Sequence, residues 1–195
     1  VRVEDAARVA AEIRAQVPAG ASVAEPVAEI IEAVRRGGDA ALAEYEARFG
    51  AGTAPPFRVS GGALEDDVRA GLEVAIANVR SVAQAGLDED RQVALPQGQS
   101  VTLREVPVRR AAIYAPSGRN PYPSTVVMGA ITARVAGVDE VYVVAAPHPA
   151  ILAAAELCEV DGVFGITGAQ SIAALAYGTE SIPRVDVIVG PGSLW

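Results

Sequence analysis

Short apolar runs alternate with small-residue breaks through the second half of the chain, and this alternation sets the predicted architecture. Ala111-Ala112-Ile113-Tyr114-Ala115 runs into Pro116-Ser117-Gly118, and Val141-Tyr142-Val143-Val144-Ala145-Ala146 ends at Pro147. Val163-Phe164-Gly165-Ile166 runs into Thr167-Gly168-Ala169-Gln170, and residues 185–189 run into Gly190-Pro191-Gly192-Ser193. Each run is nearly continuous in apolar residues, as expected of strands buried on both faces of a parallel sheet. Residues 124–136, 149–158 and 170–177 between them read as helices. This order predicts βαβ units, hence an α/β fold with a mostly parallel sheet flanked by helices. In such a sheet the carboxyl ends of the strands open on one edge, where ligands bind. That edge carries Pro-Ser-Gly, Thr-Gly-Ala-Gln and Gly-Pro-Gly-Ser, which points to a nucleotide-sized ligand.

The first half follows a helical period instead. Residues 3–17 set Val3, Ala6, Ala7, Ala10, Ile13 and Val17 along one stripe. Val27, Ile30, Ile31 and Val34 then fall at i, i+3, i+4, i+7, an amphipathic face. Gly37-Gly38 is expected to close that helix and Asp39 to cap the next, whose stripe is Leu42, Tyr45 and Phe49. A short strand is expected at 57–60 and a long helix at 64–85, with Leu64, Val68, Leu72, Ile76, Val79 and Ala83 inward. Glu65, Asp66 and Asp67 occupy its first turn, where the helix dipole favours acids. Residues 92–108 alternate around Pro96-Gln97-Gly98-Gln99 as a hairpin or extended arm. Further on, Ser124 is placed as a helix N-cap and Gly137 as a helix stop. The change of pattern near Val106-Pro107 divides the chain into a mainly helical region with a short β arm (1–107) and an α/β region (108–195).

Composition narrows the class. With 51% hydrophobic and 21% charged residues, the chain has the makings of a packed core rather than a disordered segment. No apolar run approaches the ~20 residues that span a bilayer, and the opening Val1-Arg2-Val3-Glu4-Asp5 is acidic where a signal peptide is basic. A cytoplasmic protein without membrane association is expected. A net charge of -8 disfavours nucleic acid. All 16 basic residues are Arg, and the pairs 35–36 and 109–110 are too short to form a basic stripe. One Cys and one His cannot by themselves build a Cys/His zinc site, and the single Cys fits a reducing compartment.

Candidate chemistry is sparse. There is no clean Gly-x-Gly-x-x-Gly loop. Tyr114, at a strand end, is suited to stack on a ligand ring, to hydrogen-bond through its phenol, or simply to pack. Gln170 opens a helix after Gly168, where its amide either faces the cleft or bonds nearby backbone. Ser193, in the last loop, either contacts ligand or turns the chain. His148, between two prolines, reads as a surface loop residue, and Cys158 as core without an activating base. Glu180 and Asp186 are read as capping or solvated carboxylates.

Several longer segments carry a resemblance. Ile113-Tyr114-Ala115-Pro116-Ser117-Gly118, Tyr122-Pro123-Ser124-Thr125-Val126-Val127-Met128, the run 168–181 (GAQSIAALAYGTES) and Val189-Gly190-Pro191-Gly192 resemble the histidinol dehydrogenase family in order and spacing. Gly38-Asp39-Ala40-Ala41-Leu42 is similar to an early segment of that family, so the resemblance spans nearly the whole chain. It implies a zinc-dependent enzyme that oxidises L-histidinol to L-histidine through the aldehyde with NAD, late in histidine biosynthesis. It further implies incomplete Rossmann-like domains related to aldehyde dehydrogenases, in a homodimer, with 108–195 as an NAD-binding half-domain. By motif, Tyr114 and Gln170 match NAD-contacting positions, and Ser193 stands at a third where the family usually has Asn. Ser117 and Thr167 replace family glycines, and their Cβ atoms are expected to crowd the cofactor loop. The zinc ligands, the catalytic Glu-His pair and most substrate contacts are expected outside these 195 residues, so the chain alone is expected to be inactive. The alternatives are a paralogous dehydrogenase of another small polar alcohol, or a non-catalytic module that binds nucleotide or a partner subunit.

Overall fold

The computed structural model describes residues 3–16, 23–116 and 120–192. The elements are α1 (Val3–Gln16), α2 (Ala24–Phe49), β1 (Arg58–Val59), α3 (Asp66–Ala85), β2 (Arg91–Ala94) and β3 (Ser100–Leu103). They are followed by β4 (Arg110–Tyr114), α4 (Pro123–Val135), β5 (Glu140–Val144), α5 (Pro149–Leu157), β6 (Gly162–Phe164), α6 (Gly168–Tyr177) and β7 (Val187–Val189). Five strands form one sheet in the order β1-β6-β5-β4-β7. β4 to β7 are mutually parallel, as the apolar runs predict, and β1 joins antiparallel to β6.

Period-two alternation divides the strand side chains between two cores. Ala111, Ile113, Val141, Val143 and Val163 pack with α3, α4 and α5 on one face. Ala112, Tyr142, Val144 and Phe164 pack with α2 and α6 on the other. The region before residue 107 therefore supplies a helix to each face and a strand to one sheet edge.

Local departures from expectation have local reasons. Val68 is 44% exposed rather than inward, because only Leu72 of α3 is buried and Leu64, Ile76 and Val79 complete the contact. Phe49 lies at the exposed end of α2, stacked on Tyr45 with ring centroids 6.2 Å apart, while Leu42 alone of that stripe is fully buried. Ser124 is not the N-cap of α4; Tyr122 holds that position and Pro123 takes the first turn. Gly137, with φ +88, follows α4 as expected. Val17 lies outside the described residues.

The expected break at Gly37-Gly38 is a kink, with Gly38 at φ 53 and ψ -136 inside an otherwise continuous α2. Asp39 does not cap its own helix. Its main-chain N–H donates to Glu180 at 2.8 Å, and its carboxylate accepts from the hydroxyls of Thr179 and Ser181 and from the Ser181 N–H. The kink of α2 is thus clasped to the loop that follows α6. The arm β2–β3 is an antiparallel hairpin exposed along its length. No helix of the described residues is long and apolar enough to cross a membrane.

Candidate functional site

The strand order contains one reversal. The chain steps from β4 to β5 to β6 in one direction, and after α6 it returns across the sheet to place β7 on the far side of β4. The carboxyl ends of β4 and β7 consequently flank a topological switch point, the place where open α/β sheets bind ligands. Three features converge there. Tyr114 ends β4. Its phenolic oxygen accepts the Gly168 N–H at 3.2 Å, which ties the strand end to the start of α6 and leaves the phenol proton able to donate. Gly190, at φ +140, follows β7 so closely that a Cβ there would sit 2.1 Å from the Tyr114 carbonyl oxygen.

A cleft of about 360 Å³ opens between this junction and α2, walled by Tyr114, Gly168, Ala169, Ile172, Ile188 and Gly190. Thr167 makes no side-chain cap on α6; the Gly168 N–H is taken by Tyr114, and the next N–H groups of the first turn have no side-chain cap. A second hollow of about 480 Å³ lies on the other side of the 168–170 turn, among Glu29, Ile30, Tyr45, Arg48 and Phe49. Gln170 borders this second hollow and is only 2% exposed. Its Nε2 donates to Glu46 Oε1 at 3.0 Å. Tyr114 and Gln170 thus stand on the same strand-end edge, joined through Gly168, with Gln170 held from behind. Ser117 and Ser193 lie outside the described residues. Thr167 has an extended backbone (φ -143, ψ 175), which any residue adopts, so its Cβ imposes no strain.

Glu46 escaped the sequence reading although it is completely buried. The signal was an acid one turn after Leu42, inside an apolar stripe. Other polar residues serve the frame. His148 is the N-cap of α5, its Nδ1 accepting from the Ala150 N–H at 3.2 Å. Cys158 is buried, and desolvation pushes its thiol up to about 11, which makes it a poor nucleophile. Asp186 accepts from the Arg110 N–H at 2.9 Å. The most strongly perturbed carboxyl, Glu140, is at the amino edge of the sheet, away from the cleft. Hydrogen bonds from Arg110 and Tyr142 hold it down at about 2. Among the described residues, no group of three or more His, Cys, Asp and Glu could hold a metal ion.

Comparison with known proteins matches this geometry to one family. The chain is 40% identical over 207 residues to histidinol dehydrogenase of Corynebacterium jeikeium, covering 95% of this chain and 46% of that protein. It is 44% identical over 192 residues to histidinol dehydrogenase of Syntrophotalea carbinolica, covering 89% and 43%. The crystal structure of histidinol dehydrogenase from Elizabethkingia anophelis superposes with a TM-score of 0.80 at 26% identity, over 88% of this chain and 42% of that one. The chain therefore spans less than half the length of these relatives. The family model for histidinol dehydrogenase matches residues 14–195, and the chain belongs to the histidinol dehydrogenase family.

Proposed function

We propose that this chain supplies the dinucleotide-binding half of an NAD-dependent histidinol dehydrogenase, with Tyr114, Gln170 and Ser193 on the cofactor. The observation that carries this reading is the switch-point cleft, where Tyr114, the first turn of α6 and Gly190 come together. Its walls suit a dinucleotide: Tyr114 offers a ring face and a phenol donor, Ile172 and Ile188 offer apolar surface, and the start of α6 favours negative charge. NAD, when bound, accepts hydride from the substrate alcohol; the chain's own part is to hold and orient it. The chain spans less than half the length of its relatives, and this reading assigns the zinc ligands, the proton-transfer groups and most contacts to L-histidinol to the remainder of the enzyme. The whole enzyme would then oxidise L-histidinol to L-histidine through the aldehyde, as a cytoplasmic homodimer.

Titration of the chain with NAD⁺ tests the cofactor assignment. Tyr114→Phe removes both the acceptor for the Gly168 N–H and the phenol donor. It should weaken binding roughly fivefold, the equivalent of about one hydrogen bond. Undetectable binding at millimolar NAD⁺ by the folded chain, or full affinity in Tyr114→Phe, would reject it. The same chain supplied with zinc and L-histidinol should form no NADH.

A further inference from the structure

We propose that Glu46 is a positioning residue for the ligand site at the start of α6: it turns the Gln170 carboxamide nitrogen inward, so that Gln170 meets a ligand through its carbonyl oxygen. The proposal rests on the reading of the cleft as a dinucleotide site. Glu46 is 0% exposed, in the last turn of α2. A buried carboxylate is costly unless it is fully hydrogen-bonded. Here the partners recorded among the described residues are three N–H donors. Thr167 N–H at 2.9 Å and Gln170 Nε2 at 3.0 Å reach Oε1, and Ala51 N–H at 3.0 Å reaches Oε2. One side chain thus ties the end of α2 to the start of α6 and fixes the peptide just before Gly168.

The same contact decides which end of the Gln170 amide faces outward. The same Glu46 Oε1 already accepts the Thr167 N–H, so the amide presents its N–H₂ group to it. Gln170 Oε1 has no hydrogen-bond partner among the described residues, and no fully buried polar side-chain atom there lacks one. This oxygen is therefore the end of the amide left for a ligand, at the hollow that Gln170 borders beside the first turn of α6. Gly168 keeps it uncovered, since a Cβ at that position would lie 2.9 Å from Gln170 Oε1. An amide oxygen with no partner of its own selects a donor: a ribose hydroxyl, an exocyclic amine or a carboxamide N–H of a dinucleotide. A phosphate oxygen would be repelled there and is left to the first-turn N–H groups of α6.

Glu46→Gln preserves volume but sets an N–H₂ group against one of three donors. In ¹⁵N-labelled protein it should displace the Gln170 side-chain resonances and speed exchange of the Thr167 amide about tenfold or more. NAD⁺ affinity should fall about tenfold. In a Gln170→Ala background the same substitution should change affinity less than about twofold, because its effect passes through the amide; a purely structural role would give additive losses. The wild-type chain provides an arm that needs no variant to fold: one Gln170 Nε2 proton should exchange far more slowly than in a free amide. Free-amide exchange of both protons, Gln170 resonances unchanged in Glu46→Gln, or additive losses in the cycle would each overturn the proposal. Failure of the wild-type chain to bind NAD⁺ would reject the cofactor reading instead, while the exchange measurement would still decide what Glu46 does.

Discussion

Gly190 and Gly192 stand two residues apart in the last loop, yet they answer to different constraints. Gly190 combines φ +140 with a Cβ position 2.1 Å from a main-chain oxygen that cannot rotate away. Gly192 has open space around it. Gly190→Ala should therefore destabilise the chain by about 2 kcal/mol or more, through both backbone strain and overpacking. Gly192→Ala should stay within about 0.5 kcal/mol. Urea unfolding of both variants checks the contrast; equal effects would mean that β7 does not close on β4 as described. The sequence marked Gly-Pro-Gly as a strand-end turn but could not distinguish its two glycines, because the distinction lies in the approach of Tyr114, which is remote in sequence. Glu46 was hidden for the same reason. Its partners at 167 and 170 are more than a hundred residues away, and along the chain it is simply one more acid on a helix.

Elements were more legible than residues because burial on both faces writes itself into local sequence. The four parallel strands and the helices between them follow the apolar runs closely; in β4, β5 and β6 a polar residue at the inner positions would meet a core, while β7 lies half-open at the edge. β7 starts two residues later than its apolar run because Val185 and Asp186 are engaged elsewhere. The Val185 N–H bonds the Leu175 carbonyl, and Asp186 exchanges hydrogen bonds with the main chain of Arg110. The kink in α2 was readable from Gly37-Gly38, but its clasp on Thr179, Glu180 and Ser181 was not. At the amino edge of the sheet, Glu140 joins β5 to β4 through Arg110 at 2.8 Å and accepts from Tyr142 of its own strand at 2.7 Å. The folded state holds this carboxyl at about 2, below its ordinary value of 4.5. Its contribution is then complete above pH 4.5 and is lost as pH falls through about 2. Glu140→Gln should lower the melting temperature at neutral pH, and the gap to wild type should close on acidification across that window. A gap that is constant from pH 6 to pH 2.5 would mean that the carboxylate charge contributes nothing.

At the scale of the molecule, the two sheet edges are finished differently. β1 lies antiparallel along β6 and is followed by chain that packs on α5 at Gly62 and then, as α3, against α4. β7 has β4 on one side only, with Val187 and Val189 38% and 44% exposed. Beside it an apolar groove of about 480 Å³ runs between β7 and α4, lined by Ile113, Met128, Gly129, Val187 and Val189, with Met128 54% exposed. An unpaired strand next to an apolar groove is a template for association. The net charge of -8 opposes this only weakly at physiological salt, where the Debye length is about 8 Å. The 195-residue chain should therefore self-associate through this edge, with an average mass by light scattering that rises with concentration. Val189→Lys places a charge on the open edge at a position 44% exposed, beside its strand partner Ile113, and should return the chain to a monomer while leaving its melting temperature nearly unchanged. Two results would count against the edge. A concentration-independent monomer in the wild type would show that the groove is not sticky enough to matter. Association undiminished in Val189→Lys would move the contact to another exposed surface, of which the β2–β3 arm, with Val101 and Leu103 44% and 53% exposed, is the first to test.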